Sequence, residues 1–309
     1  MARGPDKLVP FEPVLELLPL TDPWAHGPGE PPDYRPDFAA LEKLLAVPVR
    51  AGASSESGLF PKGIDLWLSY ELRRAGFSDY ETWPRGVRPR VLPRELAVLV
   101  ERLPNKIPGY PGLRFREEVA KRIGEMPAIT PTEAVVLGRA YDKQVDVCIA
   151  RWERGPELLI STKAQLSSFG KNLPNRFEEA YGDAANLRAR YPLAAVGYVF
   201  VQRATILSDE PDAFERTIDM MRKLRDEGDG IGYTATGLIL VDWDSNHDDP
   251  SVAVVENVVP PDIGVDQLLR RLIEQVLRAT PVAHHVRLRE EYERRALAVG
   301  EVEESEMSE

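Results

Sequence analysis

Asp146 and Lys163 are the residues of this sequence whose types and positions best fit a chemical site. Asp146 lies between Val145 and Val147, and Lys163 lies near the end of a second apolar segment. A carboxylate in such a setting can hold a divalent cation, and a nearby ammonium group can orient water and stabilise the charge that develops during phosphoryl hydrolysis. The two residues together suggest metal-dependent hydrolysis of a phosphodiester.

Two predicted strands position these side chains. Residues 144–151 are rich in β-branched residues and predict a strand, residues 154–156 are typical of a turn, and residues 157–165 predict a second strand. The two strands therefore form a hairpin. Alternate residues of a strand share a face, so Lys163 points to one defined side of the second strand. Asp146, on the first strand, can face the same cleft.

The elements around this hairpin predict an α/β fold with a central mixed sheet flanked by helices. After the hairpin, a loop leads into a long helix from about 174 to 190, with Pro174 in its first turn, and then into an almost wholly apolar strand at 194–201. Further predicted helices cover about 37–46, 64–75, 94–103, 112–125, 131–140, 211–227, 265–278 and 284–298, and further predicted strands cover 237–242 and 252–256.

The segment from about 144 to 202 resembles the PD-(D/E)xK nucleases. Asp146 followed by Ser161-Thr-Lys163 resembles their D…(D/E)xK signature, and Gln165 resembles the KxQ extension of part of that superfamily. Residues 168–183 resemble the segment after the catalytic lysine in XhoI-like type II restriction endonucleases. The resemblance implies a restriction-endonuclease-like core and a homodimer that cuts double-stranded DNA with Mg²⁺, with catalytic roles for the three matching residues.

Ser161 departs from that signature, which has an acid at this position, and leaves the site one negative charge short. Restriction enzymes that cut CCGG are similar, since they have Ser-x-Lys on the strand and a glutamate on the following helix. That similarity implies Glu178 as the acid that holds Mg²⁺ with Asp146, and Glu179 is the adjacent candidate.

Two other possibilities stay open at the level of sequence. Asp65 or Glu71, on the helix predicted over 64–75, is a further candidate metal ligand, although both also fit a solvated helix face. The second possibility is a catalytically inactive nuclease-fold protein that binds DNA or assembles a complex, and Ser161 favours it.

The charge pattern bears on DNA binding. A net charge of −11 argues against a general nucleic-acid coat protein, but a basic groove can coexist with acidic outer faces. Residues 85–94 contain four arginines and no acid. The prolines of this segment favour a loop over a helix. We expect a basic DNA groove formed by Arg85, Arg88, Arg90 and Arg94, with further DNA contacts from Asn172 and Arg176.

The sequence suggests one main domain with two extensions. Residues 1–60 predict a proline-rich arm with a short helix, residues 61–300 the nuclease domain with a helical part at 61–141, and residues 301–309 a disordered acidic tail. The single cysteine, Cys148, excludes an intrachain disulfide and a cysteine-based zinc site. With no apolar run of membrane-spanning length, we expect a cytoplasmic protein.

Overall fold

The computed structural model describes residues 6–28, 31–53, 57–110, 112–225, 227–228, 230–244 and 251–298, so the expected acidic tail at 301–309 lies outside the described residues. The described strands are β1 (Trp24–Ala25), β2 (Asp33–Tyr34), β3 (Thr82–Trp83), β4 (Ala134–Leu137), β5 (Asp142–Val145), β6 (Val147–Arg151), β7 (Gly155–Gln165), β8 (Ala195–Arg203), β9 (Ala235–Trp243) and β10 (Val252–Val254). The described α-helices are α1 (Glu12–Leu15), α2 (Phe38–Arg50), α3 (Leu59–Arg74), α4 (Arg94–Arg102), α5 (Phe115–Gly124), α6 (Phe169–Arg188), α7 (Ile206–Asp209), α8 (Pro211–Lys223), α9 (Val265–Ala279) and α10 (Val286–Glu293). None of these helices combines the length and apolar character that a membrane-spanning helix needs.

A six-stranded mixed sheet forms the centre of the molecule, in the order β10-β9-β8-β7-β6-β3. Strands β7, β8 and β9 run parallel to one another, whereas β6, β3 and β10 each pair antiparallel with their neighbours. The β6–β7 pair is the predicted hairpin, and α6 connects β7 to its parallel neighbour β8. The expected α/β architecture with a mixed sheet flanked by helices is therefore confirmed.

Helices cover both faces of the sheet, and β7 alternates between them. Leu158 and Ile160 belong to a hydrophobic cluster with residues of α2, α3 and α9, whereas Leu159 belongs to a second cluster with residues of α6 and α8. Two residues of the N-terminal segment, Phe11 and Trp24, are buried in the first cluster. The proline-rich segment thus contributes to the core on the α3 side.

Tertiary contacts change three of the predicted elements. The predicted helix at 131–140 is wrong, because residues 134–137 pair as β4 with β5. Helix α6 begins at Phe169 rather than near Pro174, since the carboxylate of Glu210 accepts hydrogen bonds from the backbone N–H groups of Phe169 and Gly170, at 2.9 and 2.7 Å. The predicted strand over 144–151 is two strands, interrupted at Asp146.

Candidate functional site

Asp146 lies between two antiparallel strand pairs, at the point where the chain passes from one pair to the other. The preceding strand, β5, pairs with β4, and the following strand, β6, pairs with β7. The backbone N–H of Asp146 donates to Ile160 O at 3.1 Å, and its Oδ2 accepts the backbone N–H of Thr162 at 2.8 Å. Its carboxylate therefore replaces a backbone carbonyl as the acceptor at this end of the hairpin.

Asp65 reaches the same residue of β7 from helix α3. Its side chain is 1% exposed, and its Oδ1 accepts a hydrogen bond from Thr162 Oγ1 at 2.6 Å. Thr162 thus donates to two carboxylates, through its backbone to Asp146 and through its hydroxyl to Asp65. A buried acid of α3 and a half-buried acid before β6, from distant parts of the sequence, meet at one position of the central sheet.

The charge of this aspartate pair is incompletely neutralised. Burial, and next the charge of Asp146, raise the pKa of Asp65 to about 7 although Lys62 opposes the shift. Burial also raises the pKa of Asp146, against the Thr162 N–H and the positive charges of Lys62, Lys163 and Lys143. Because desolvation disfavours a charged carboxylate, a cation bound beside the pair would lower both pKa values.

Lys163 faces helix α6 on the more open side of the site. Its Nζ donates to Glu179 Oε1 at 2.7 Å, and the lysine side chain is 25% exposed. Glu179 Oε2 also lies 3.2 Å from Arg176 Nη1. Although partial burial opposes it, the hydrogen bond and charge of Lys163 lower the pKa of Glu179. The helix acid beside the lysine is therefore Glu179, and its exposed neighbour Glu178 makes no hydrogen bond or ion pair among the described residues.

The β4–β5 hairpin is fixed to α6, which holds Asp146 in place. Lys143 forms an ion pair with Asp183, and Tyr141 Oη donates to Asp183 Oδ1 at 3.2 Å. Nearer the hairpin turn, Asn186 Nδ2 donates to Tyr141 O at 3.1 Å. Since Asp146 directly follows β5, these contacts restrict the position of its carboxylate.

Gln165 is buried and joins the end of β7 to the start of α6. Its Nε2 donates to Ser168 O and Phe169 O, at 3.0 and 2.9 Å, and its Oε1 accepts from Gln202 Nε2 at 3.3 Å. These contacts position the end of β7 against the start of α6, and the catalytic role that the resemblance implies for Gln165 stays a prediction.

The side chains of Ser161 and Glu71 make no hydrogen bond to the two aspartates among the described residues. Ser161 is buried, and its Oγ has no hydrogen-bond partner among the described residues. Glu71 is buried between α2 and α3, where it accepts hydrogen bonds from Tyr34 Oη at 2.9 Å and Arg74 Nη1 at 2.7 Å. Burial raises the pKa of Glu71 to about 7 against these contacts, and its surroundings indicate a structural role.

The basic loop is only partly available to a ligand. The prediction that Arg90 lines a DNA groove is corrected, because its side chain is 4% exposed and pairs with Asp6 at 2.9 Å and Glu12 at 2.5 Å. Arg88 is exposed and lies 3.4 Å from Glu12. Arg85 is half-buried, and this partial burial lowers its pKa. The arginines of this loop therefore bind acids of the N-terminal segment, which leaves less of their positive charge available to a ligand.

The remaining predicted DNA contacts lie on the surface. Asn172 is exposed in the first turns of α6, and Arg176, one turn further on, is half-buried beside Glu179. Arg94 is half-buried at the first position of α4. Asn172 and Arg176 thus share with Lys163 the side of the sheet that α6 covers.

The aspartate pair is the best candidate for holding a metal ion. Among the described residues, no group of three or more His, Cys, Asp or Glu side chains is arranged to hold one. Mg²⁺ does not require such a group, since it keeps several waters and commonly binds through one or two carboxylates plus substrate phosphates. Asp65 and Asp146, both with raised pKa values, fit that requirement.

Comparison of the chain with protein-family models, with curated proteins and with solved structures finds no match in any of the three. The functional assignment therefore depends on the geometry and chemistry of the site.

Proposed function

We propose that this protein is a metal-dependent endonuclease that hydrolyses phosphodiester bonds of double-stranded DNA. The observation that carries the proposal is the meeting of Asp65 and Asp146 on Thr162, next to the strand position of Lys163. Two acids that favour a cation, with an ammonium group on the adjacent open side, match what metal-assisted phosphoryl hydrolysis requires.

The order of elements supports a core of the restriction-endonuclease type. A helix that carries an acid, α3, precedes an antiparallel hairpin with Asp146 at its start and Lys163 on its second strand. Helix α6 then crosses to the parallel strand β8. This is the arrangement that the resemblance of residues 144–202 implies.

Asp65 is a better partner for Asp146 than either glutamate of α6. The carboxylate of Glu179 is bound to Lys163 and Arg176, which lower its pKa, whereas the pKa of Asp65 is raised. We therefore propose that Asp65 supplies the negative charge that Ser161 lacks, and that Glu179 positions Lys163.

In this mechanism each side chain has a defined task. Asp65 and Asp146 would hold Mg²⁺, which when bound supplies a Lewis acid and an activated water. Lys163 orients the attacking water and stabilises the negative charge that develops on the phosphate. Glu179 holds the lysine side chain in place through its 2.7 Å contact. Burial of Asp65 shields the carboxylates from bulk solvent, while the half-exposed Lys163 leaves the substrate side open.

The proposal includes binding along α6 and assembly as a homodimer. Lys171, Asn172 and Arg176 present polar and basic groups to solvent on the same helix as Glu179. Phosphate contacts of this kind make DNA affinity fall steeply with salt concentration. A two-fold dimer would match a palindromic duplex and bring one site to each strand.

A plasmid-cleavage assay in Mg²⁺, Mn²⁺ or EDTA tests this function. Wild type should nick or linearise plasmid with either metal and leave it intact in EDTA. Lys163→Met should lower the rate by about 10²-fold or more, because a preorganised charge at the reacting phosphate is lost. Lys223→Met is the matched control, since Lys223 forms an exposed ion pair with Asp219 on another helix.

A catalytically inactive DNA-binding protein is the second candidate, and Ser161 is the observation that favours it. Salt-sensitive DNA binding without cleavage in either metal would support that alternative over the proposed function. Cleavage that persists in EDTA would contradict the metal-dependent mechanism.

A further inference from the structure

Lys62 lies beside the aspartate pair, in the first turns of α3. Its Nζ is 3.1 Å from Asp65 Oδ2 and 3.4 Å from Glu133 Oε1, and its side chain is 20% exposed. Glu133, in the segment before β4, is 40% exposed. One ammonium group therefore lies between a buried carboxylate and a carboxylate near the surface.

The hydrogen bonds of Thr162 identify the oxygen for which Lys62 and a metal ion would compete. Thr162 donates to Oδ1 of Asp65 and to Oδ2 of Asp146. Asp65 Oδ2 and Asp146 Oδ1 are left for other partners, and Lys62 contacts the first of these two. A cation that bridged the two aspartates through these oxygens would have to replace Lys62 at Asp65.

Lys62 differs from the other lysines near the site in its partners. Lys163 pairs with Glu179 and Lys143 pairs with Asp183, and both acids belong to α6. Lys62 instead pairs directly with one member of the aspartate pair.

We propose that Lys62 is a displaceable counter-ion of the Asp65–Asp146 pair. It neutralises Asp65 Oδ2 in the metal-free protein and shifts to Glu133 when a divalent cation takes that oxygen. This inference builds on the metal site of the proposed function and assigns Lys62 as the positioning residue that sets metal affinity. The exchange keeps the carboxylates paired with a cation in both states. Neither state then carries the desolvation penalty of an unpaired buried acid.

Mn²⁺ titration by isothermal calorimetry at fixed pH tests the exchange directly. Lys62→Met should bind Mn²⁺ about ten-fold more tightly than wild type or better, because a unit positive charge a few ångströms from the metal position is removed. Lys62→Arg keeps the charge and should stay close to wild type. Lys223→Met removes the charge of a lysine–aspartate pair on α8 and should leave the affinity unchanged.

A double-mutant cycle tests the role of Glu133. If Glu133 acts by receiving Lys62, Glu133→Gln should weaken Mn²⁺ binding in the wild-type background and have no effect in the Lys62→Met background. If Glu133 were itself a metal ligand, the same substitution would weaken binding equally in both backgrounds, and the proposed exchange would be wrong.

The remaining outcomes separate this inference from the proposed function. Equal or weaker Mn²⁺ binding by Lys62→Met overturns the inference even if wild type cuts DNA. Tighter binding by Lys62→Met supports it even if no variant cuts DNA. Lys62→Met should also unfold at a lower temperature in EDTA and gain more than wild type from added Mn²⁺. If it does not fold in EDTA, Lys62→Gln, which also removes the charge but keeps a polar side chain, takes its place in the titration and in the double-mutant cycle.

Discussion

Two pairs of acids lie at opposite ends of the β6–β7 hairpin, and their surroundings differ. Glu81 and Glu157 lie near the turn, and Asp65 and Asp146 lie at the open end. The side chains of Glu81 and Asp65 are each 1% exposed. Yet the pKa of Glu81 is lowered to about 2, whereas that of Asp65 is raised to about 7.

The number of cations that pair directly with each acid explains the difference in pKa. Burial alone would raise the pKa of Glu81, but His285 lies 3.4 Å away and Arg151 forms an ion pair with it. Glu157 lies 3.2 Å from His285 and 2.8 Å from Arg154. The aspartate pair, among the described residues, has a single ion-pair partner in Lys62. Buried acids surrounded by cations stabilise the fold, whereas buried acids short of cations favour binding one.

The largest expected effect is on stability at the turn end. Glu81→Gln should lower the free energy of unfolding by about 3–5 kcal/mol, because it removes a buried anion that the side chains of Arg151 and His285 share. Asp65→Asn keeps an acceptor for Thr162 and removes a poorly compensated charge, so in EDTA it should leave stability unchanged or higher. Urea unfolding at neutral pH measures the free energy of unfolding of both variants. Equal losses of that free energy would remove the distinction between the two regions.

The glutamates of α6 offer a matched pair for activity. Glu179→Gln should reduce plasmid cleavage about ten-fold, because Lys163 loses a charge-assisted hydrogen bond. Glu178→Gln, one residue away and exposed, should cleave like wild type. Mn²⁺ affinity should be unchanged in both variants. If Glu178→Gln or Glu179→Gln abolished Mn²⁺ binding, the second metal ligand would lie on α6 rather than at Asp65.

The pH dependence of stability should depend on His285. Burial lowers its pKa, but hydrogen bonds and charges from Glu157 and Glu81 outweigh burial and raise it above the ordinary value of 6.5. The stability that protonated His285 contributes is therefore complete below pH 6.5 and is lost as pH rises through the raised pKa. Comparing wild type with His285→Gln between pH 5 and 9 should show an advantage of wild type that shrinks with rising pH. An advantage that grew with pH would contradict this account.

The smallest effect is expected at Ser161. Its buried Oγ has no partner among the described residues, so Ser161→Ala should change the free energy of unfolding by less than about 1 kcal/mol. Cleavage and Mn²⁺ binding should be unaffected. A clear loss of Mn²⁺ affinity in Ser161→Ala would mean that the serine oxygen belongs to the metal site.

Local sequence signals predicted the hairpin, the helix and the apolar strand that follow it, and the candidate pair Asp146 and Lys163. These elements depend on turn residues and β-branched runs that lie close together in sequence. The residue at which α6 begins is harder to predict, because Glu210, which lies after β8 in the sequence, caps the first turn of the helix. That distant cap, and the resulting start at Phe169, could not be predicted from the local sequence.

The sequence alone does not predict the contact of Asp65 with Thr162, because that contact depends on how α3 packs against β7. Helical periodicity marks Asp65 as a helix residue, but only the tertiary fold brings it to Thr162. A signal was present, since Asp65 stands among Ile64, Leu66 and Trp67, all of which are buried. A carboxylate within such an apolar run is unusual on a solvated face. The mistake at Arg90 is of the same kind, because Asp6 and Glu12 reach it from the N-terminal segment.

Anomalous diffraction from crystals soaked in Mn²⁺ tests the central claim most directly. The account predicts one anomalous peak between the carboxylates of Asp65 and Asp146, with Lys62 Nζ moved from Asp65 toward Glu133. Asp65→Asn and Asp146→Asn should each remove or weaken that peak, while Glu81→Gln should not. A peak at Glu178 or Glu179, or no peak at the aspartate pair under conditions in which wild type cuts DNA, would contradict the account.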